Sequence, residues 1–361
     1  MKRLNTILAM LFCFTLPAIF PTGVAAGNPF RIESIGPTVG PPPLFEQGYI
    51  IGWNTAANRT NTVEYADSLS GSWQTLTEIL ADTNAGPMVA VDYPPPDTAQ
   101  RFYRVRAPRS DIVLSLVLDR SGSMSANGGA ATLSNAVSAF ISYFNDTRDR
   151  AALISFASHA RVDVAMTQPF KTSIKSAAGA ITFNGFTCSD QGLENARQQN
   201  DAVLVVPGQP VTKIIVFFTD GLANTFQYTF NCGIRNIAED RSLYNPNTGA
   251  SSGAGCTVPP TIPSIDGTTT VTTASSAQME AEAAKRAYAV ANQARASGNT
   301  IYSIGLGLVT NPDFLKTVAN DPTGPTFDPG QPSGLSVTAT NSSQLQAVFE
   351  QIAQQAIAQV Q

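Results

Sequence analysis

An almost unbroken apolar run covers Ile112 to Leu118, with Ser115 its one polar position, and stops abruptly at Asp119, Ser121, Gly122 and Ser123. A run of that kind suits a strand buried on both faces of a parallel sheet. Ala151 to Phe156 and Ile214 to Phe218 read the same way, the second ending in Asp220-Gly221, and Thr300 to Gly305 adds another strand. Arg161 to Ala165 alternates and suits an edge, and Leu335 to Thr338 suits an outer strand. Helical spacing separates these segments. Leu133, Val137, Phe140, Ile141 and Phe144 share one face, and Phe170 to Ile181, Gln191 to Gln199 and Phe314 to Ala319 are further helices. Ala277 to Ala296 is an alanine-rich helix closed by Gly298. A last helix begins with Asn341 and Gln344 in a capping-box pattern and presents Leu345, Val348, Phe349, Ile352 and Ile357 to the sheet. Strands and helices in this alternation predict a doubly wound, Rossmann-like α/β sheet flanked by helices.

Residues 27–107 carry no helical period. Tyr49, Ile51 and Trp53 alternate, as do Val63 with Tyr65, Val89 with Val91, and Tyr103 with Val105, between clusters such as Gly40-Pro41-Pro42-Pro43 and Pro94-Pro95-Pro96. This predicts a small all-β sandwich, with Trp53 and Trp73 as packing residues. The segments Ile51-Gly52-Trp53, Thr62-Val63-Glu64-Tyr65, Ser72-Trp73 and Arg101-Phe102-Tyr103-Arg104-Val105 resemble fibronectin type III-like modules of secreted bacterial proteins. Residues 108–110 form a linker to the α/β domain at 111–361. Lys2 and Arg3, an apolar stretch from Ile7 to Phe20 and the small residues Val24-Ala25-Ala26 have the layout of a signal peptide over 1–26. The mature chain is therefore expected to be secreted or placed in the cell envelope, at the periplasm or the cell surface, with no membrane span.

Composition narrows the partners. Charged residues make up 13% of the chain, and without Lys2 and Arg3 there are 20 basic against 26 acidic residues. A mildly acidic chain with no basic cluster speaks against nucleic acid. His159 is the one histidine and reads as a loop residue, so Ser121 and Ser123 have no evident imidazole to activate them. A glycine-rich phosphate loop is absent from the sequence, which argues against nucleotide hydrolysis.

Candidate chemistry lies at the carboxyl ends of the strands, where loops of open α/β sheets form a ligand crevice. Asp119, Ser121 and Ser123 place small oxygen donors on one such loop, suited to a hard cation such as Mg²⁺. Gly185-Phe186-Thr187 and Phe217-Phe218-Thr219-Asp220-Gly221 supply two further pieces. In this order and spacing, from Asp111 to the last helix, the pieces resemble the von Willebrand factor type A domain and its metal-ion-dependent adhesion site. The resemblance implies that Ser121 and Ser123 coordinate the ion directly and that Thr187 does so directly or through water. It also implies that Asp119 and Asp220 hold metal-bound waters and the hydroxyls. Mg²⁺ is the expected ion, with Ca²⁺ or Mn²⁺ as alternatives, and an Asp or Glu carboxylate of a protein partner is the expected ligand.

The connection 222–276 is long, and its part from Asn245 to Ser276 is rich in Gly, Ser, Thr and Pro with little to bury. It reads equally as a partner-shaping loop or a mobile insertion. Cys188, Cys232 and Cys256 remain after processing, and both Cys232–Cys256 and Cys188–Cys232 are open pairings. The expected function is non-enzymatic adhesion through a Mg²⁺-bridged carboxylate. The alternative is a structural scaffold or pilus and envelope assembly component whose ion only stabilises the fold, and a metal-assisted hydrolase ranks last.

Overall fold

A computed structural model of the chain describes residues 32–40, 47–55, 59–81, 86–107, 110–206, 209–252, 255–307 and 311–359. The expected leader at 1–26, the Pro41–Pro43 cluster and linker positions 108 and 109 lie outside the described residues. The chain divides into two compact units, one of the residues up to Ser110 together with Val205–Pro210, the other of Asp111–Leu204 and the residues from Val211 on.

The first unit consists of two antiparallel three-stranded sheets. β1 (Ile32–Val39), β2 (Gln47–Thr55) and β5 (Gly86–Asp92) form one, and β4 (Gln74–Leu80), β3 (Thr60–Ala66) and β6 (Phe102–Arg106) form the other. Ile51, Trp53, Val63 and Ala90 make the core between them, with Tyr103 and Val105 packed against it. Trp53 is a core residue, and its indole N–H donates to Asn61 Oδ1 at 3.2 Å. Trp73 instead lies beneath the Arg104 guanidinium, 4.2 Å from the ring centroid. Val89 and Val91 alternate as expected but face solvent, at 61% and 41% exposure, because Ala90 between them turns to the core.

The second unit is a doubly wound α/β sheet. In chain order it runs β7 (Asp111–Asp119), α1 (Ser123–Ala126), α2 (Gly129–Ser142), β8 (Arg150–Phe156), β9 (Ala160–Thr167), α3 (Lys171–Gly179), α4 (Ser189–Asp201) and β10 (Val211–Thr219). The connection after β10 holds β11 (Thr225–Phe230), β12 (Gly233–Ala238), β13 (Leu243–Tyr244), β14 (Thr261–Pro263) and β15 (Thr270–Thr272). Then follow α5 (Ser276–Ala296), β16 (Asn299–Leu306), α6 (Pro312–Ala319), β17 (Ser336–Ala339) and α7 (Leu345–Ala358). The sheet order is β17-β16-β10-β7-β8-β9, with every pairing parallel except β8–β9. Strand order reverses at β7, so the crevice of such a sheet opens at the carboxyl ends of β7 and β10.

Alternate strand residues feed two cores. Leu116, Leu118, Val216 and Phe218 pack under α2, α3 and α7, while Val117, Ile215 and Phe217 pack under α4, α5 and α6. Burying each such side chain contributes about 1.5–3 kcal/mol. Ser115, the polar gap in β7, is satisfied within the core, donating to Asn200 Oδ1 at 2.7 Å, while Asn200 donates to Asn299 Oδ1 at 2.8 Å. Two helices lie where their apolar spacing places them and differ only at their ends, as with α4, which starts at Ser189 and runs to Asp201.

The connection 222–276 differs from the expectation that its second half has little to bury. Ile262 and Val271 are inside the core beneath α5, together with Phe226 and Ile237. Its attachment is polar as well. The buried Glu282 carboxylate of α5 accepts from Ser264 Oγ (2.7 Å), Ile265 N (2.8 Å) and Arg286 Nε (2.7 Å). Arg286 also donates to Gln227 O at 2.9 Å. Cys232 pairs with Cys256, and Cys188 is a buried free thiol that donates to Asp190 Oδ1 at 3.2 Å. Among the described residues no helix is long and apolar enough to cross a membrane.

Candidate metal centre

The two carboxylates stand at the ends of neighbouring parallel strands, since β7 and β10 pair in register up to Leu118 and Phe218. Asp119 is fully buried, and both of its oxygens are engaged. Oδ1 accepts from Ser121 N at 2.7 Å, and Oδ2 accepts from the Thr219 hydroxyl at 2.6 Å. The Ser121 and Ser123 hydroxyls are 3.0 Å apart, and Ser123 Oγ donates to Asp220 Oδ1 at 2.7 Å. Asp220 Oδ2 accepts from Asn127 Nδ2 at 2.8 Å. Asp119, Ser121, Ser123 and Asp220 therefore form one connected group of oxygens.

Thr187 comes from the turn before α4, a turn whose backbone is bound to the loop after β7. Gly122 N donates to Gly185 O at 3.0 Å, and Asn184 N donates to Arg120 O at 2.9 Å. Gly185 has φ +84°, and a Cβ there would stand 2.6 Å from Ser158 Oγ, so no side chain fits. Asn224 grips Thr187 from the other side. Thr187 N donates to Asn224 Oδ1 at 2.7 Å, and Asn224 N donates back to Thr187 O at 3.1 Å. The third loop is thus tied to the first through Gly185 and to the Asp220 loop through Asn224.

Burial, followed by the charge of Asp220, pushes the Asp119 carboxyl up to about 6, against the pull of the Ser121 and Thr219 hydrogen bonds. Two buried carboxylates this close are an electrostatic cost that a cation relieves. The donors are hydroxyls and carboxylates alone, the set that hard divalent ions such as Mg²⁺ accept. Among the described residues no group of three or more His, Cys, Asp or Glu placed so that it could hold a metal ion is found. Any ion here accordingly depends on the hydroxyls, and the residues present fit one.

His159 lies in the bend between β8 and β9, as a loop residue, with the Arg120 guanidinium 3.3 Å from its Nδ1. Burial and the charges of Arg120 and Arg161, opposed by Asp163, push its imidazole down to about 4. Cys188, next to Thr187, is held as a thiol by burial and the Asp190 carboxylate, well above its ordinary value. Three residues with a direct hold on the site were not singled out by sequence reasoning. Thr219 sits beside Asp220 at a strand end and carries a readable signal, whereas Asn127 and Asn224 act through contacts that no local pattern announces.

No curated protein sequence matches the chain. Among solved structures, a von Willebrand factor type A protein from Catenulispora acidiphila is similar at 14% identity over 86% of this chain and 50% of that one, with TM-score 0.44. The chain thus spans half the length of that relative. The vWF domain of the type V pili tip protein Mfa5 from Porphyromonas gingivalis is 18% identical over 71% of this chain and 98% of its own, with TM-score 0.47. The PilB minor pilin from Streptococcus sanguinis is 13% identical over 91% of this chain and 78% of its own, with TM-score 0.49. Residues 114–222, which carry all three loops of the site, match the family model of the von Willebrand factor type A domain.

Proposed function

We propose that the α/β unit is a metal-dependent adhesion domain that captures an acidic side chain of a protein partner. The carrying observation is the connected group of Asp119, Ser121, Ser123 and Asp220 at the carboxyl ends of β7 and β10. Ser121 and Ser123 would hold a divalent cation, Mg²⁺ in the first place, with Thr187 as a third hydroxyl. Asp119 and Asp220 orient those hydroxyls and supply the negative charge. When bound, the ion offers a position for an outside carboxylate, and hydroxyl ligands leave its charge only partly neutralised. Asn127 and Asn224 keep Asp220 and Thr187 from drifting apart.

The amino-terminal unit serves in this reading as a fibronectin type III-like spacer or accessory module, joined through 108–110. Export fits the leader-like composition of 1–26 and the Cys232–Cys256 bond, which persists in an oxidising compartment. The test is capture of envelope proteins on the immobilised chain with Mg²⁺, with a chelator, and with Asp119→Ala. Capture that needs Mg²⁺ and is lost in the variant is the expected result. Complexes that survive both treatments would overturn it and leave a scaffold whose ion is only structural.

A further inference from the structure

A cavity of about 230 Å³ opens directly beyond Asp220-Gly221, where Leu222 forms one wall and α5 another. One water needs only about 15 Å³ of such space, so the cavity is large enough for a side chain. Its existence follows from the sequence of α5. Ala281 and Ala284 present small side chains, and Tyr288 and Phe314, with ring centroids 5.5 Å apart, line it as well. The lining is apolar and aromatic except at Glu280 and Asn311.

Glu280 does not stand alone. The Glu239 carboxylate is its neighbour, and burial together with the Glu280 carboxylate raises the Glu239 carboxyl above its ordinary value. Glu239 Oε1 also accepts from Asn224 Nδ2 at 3.1 Å, and Asn224 holds Thr187. Among the described residues, neither glutamate forms an ion pair with a lysine or arginine. Neighbouring carboxylates repel one another, and a cation placed beside them relieves that repulsion. A carboxylate at one side of an aromatic and aliphatic cavity suits a side chain with an apolar stem and a cationic head.

We propose that this cavity takes a lysine or arginine side chain of the protein partner, its stem along Leu222, Ala281 and Ala284 and its charge at Glu280. The proposal rests on the partner-binding reading above, but the cavity is built from residues other than the five proposed ion-site residues. The partner would then offer a basic residue close to its acidic one.

The test is run in EDTA, so that it does not depend on the ion. N-acetyl-arginine amide, N-acetyl-lysine amide and the neutral N-acetyl-norleucine amide are titrated into the full chain, and binding is followed by NMR at Ala281, Ala284 and Tyr288. At least one basic probe is expected to bind in the millimolar range, with norleucine amide at least tenfold weaker. Glu280→Gln should weaken the basic probe about tenfold. Ala281→Leu, at a position exposed enough to keep the fold, should fill the cavity and abolish the shifts. Equal binding of norleucine amide, an unchanged affinity in Glu280→Gln, or no binding of either basic probe would overturn the proposal. So would shifts at the same residues produced by Ca²⁺ alone, in a chelator-free sample, with none from the basic probes.

Discussion

Ser123 and Asp220, 97 positions apart, are joined by a 2.7 Å hydrogen bond between the first turn after β7 and the end of β10. That bond brings a hydroxyl and a carboxylate from separate loops to one point.

Removal of one member should be visible in stability. At an ion concentration 100 times its dissociation constant, binding to the folded state alone adds about 2.7 kcal/mol. For a domain of this size that corresponds to a rise in Tm of roughly 5–10 °C. Melting curves with Mg²⁺ and with EDTA should differ by about that much in the wild type and coincide in Asp119→Ala.

Acid should weaken the ion. The folded Asp119 carboxyl titrates near 6 against 3.8 for an ordinary one, so the ion-free folded state takes up its proton more readily than the unfolded state. Relative to an ordinary carboxyl, this group costs stability as pH rises from about 4 to about 6, on the order of 3 kcal/mol in full, and the cost is constant above that. An ion must displace the proton below pH 6, so Mg²⁺ affinity should fall about tenfold per unit from pH 6 to 5. Titration calorimetry at pH 7, 6 and 5 checks this, and a flat affinity would contradict it.

Asn224 is a positioning residue for Thr187. Asn224→Ala removes the carboxamide that accepts from Thr187 N and donates to Glu239, while the backbone bond to Thr187 O remains. Mg²⁺ affinity should fall by about 10–100-fold with the fold intact by circular dichroism. Asn127→Ala, which frees Asp220 Oδ2, should act in the same direction.

The disulfide should matter more than the free thiol. Cys232–Cys256 closes a loop of 24 positions, and its loss through Cys232→Ser with Cys256→Ser should cost about 3 kcal/mol. Cys188 is fully buried and held protonated, so in a chain lacking residues 1–26, and with them Cys13, a thiol reagent should find no thiol in the native state and one after unfolding. Rapid labelling of the native chain would contradict this.

The α/β sheet was readable because its central strands are continuous apolar runs, and Ile112–Leu118 and Ile214–Phe218 each end in oxygen-bearing residues at the crevice. Asp119, Ser121, Ser123 and Asp220, which hydrogen bonds connect, stand at the ends of those same runs. What escaped depends on distant partners. α1 has only four residues, too few for a periodic signal, and the antiparallel sense of β9 is not written in its alternation. The connection 222–276 packs through isolated residues such as Ile262 and Val271 and through Glu282, whose partner Ser264 is 18 positions away. Val89 and Val91 show the limit of period two, which separates two faces but does not say which one is wet. The cysteine pairing could not be chosen by counting, and Asn224 lies 37 positions from the threonine it holds.

Both oxygens of Asp119 are occupied, one by its own loop and one by Thr219 of the adjacent strand. Such a carboxylate cannot swing toward an incoming guest. Negative charge is stored at a fixed address under the floor, and the groups above it are uncharged alcohols. If the proposed ion site holds, selectivity among guests would be left to whoever brings the next anion, while the protein keeps its own anions in reserve.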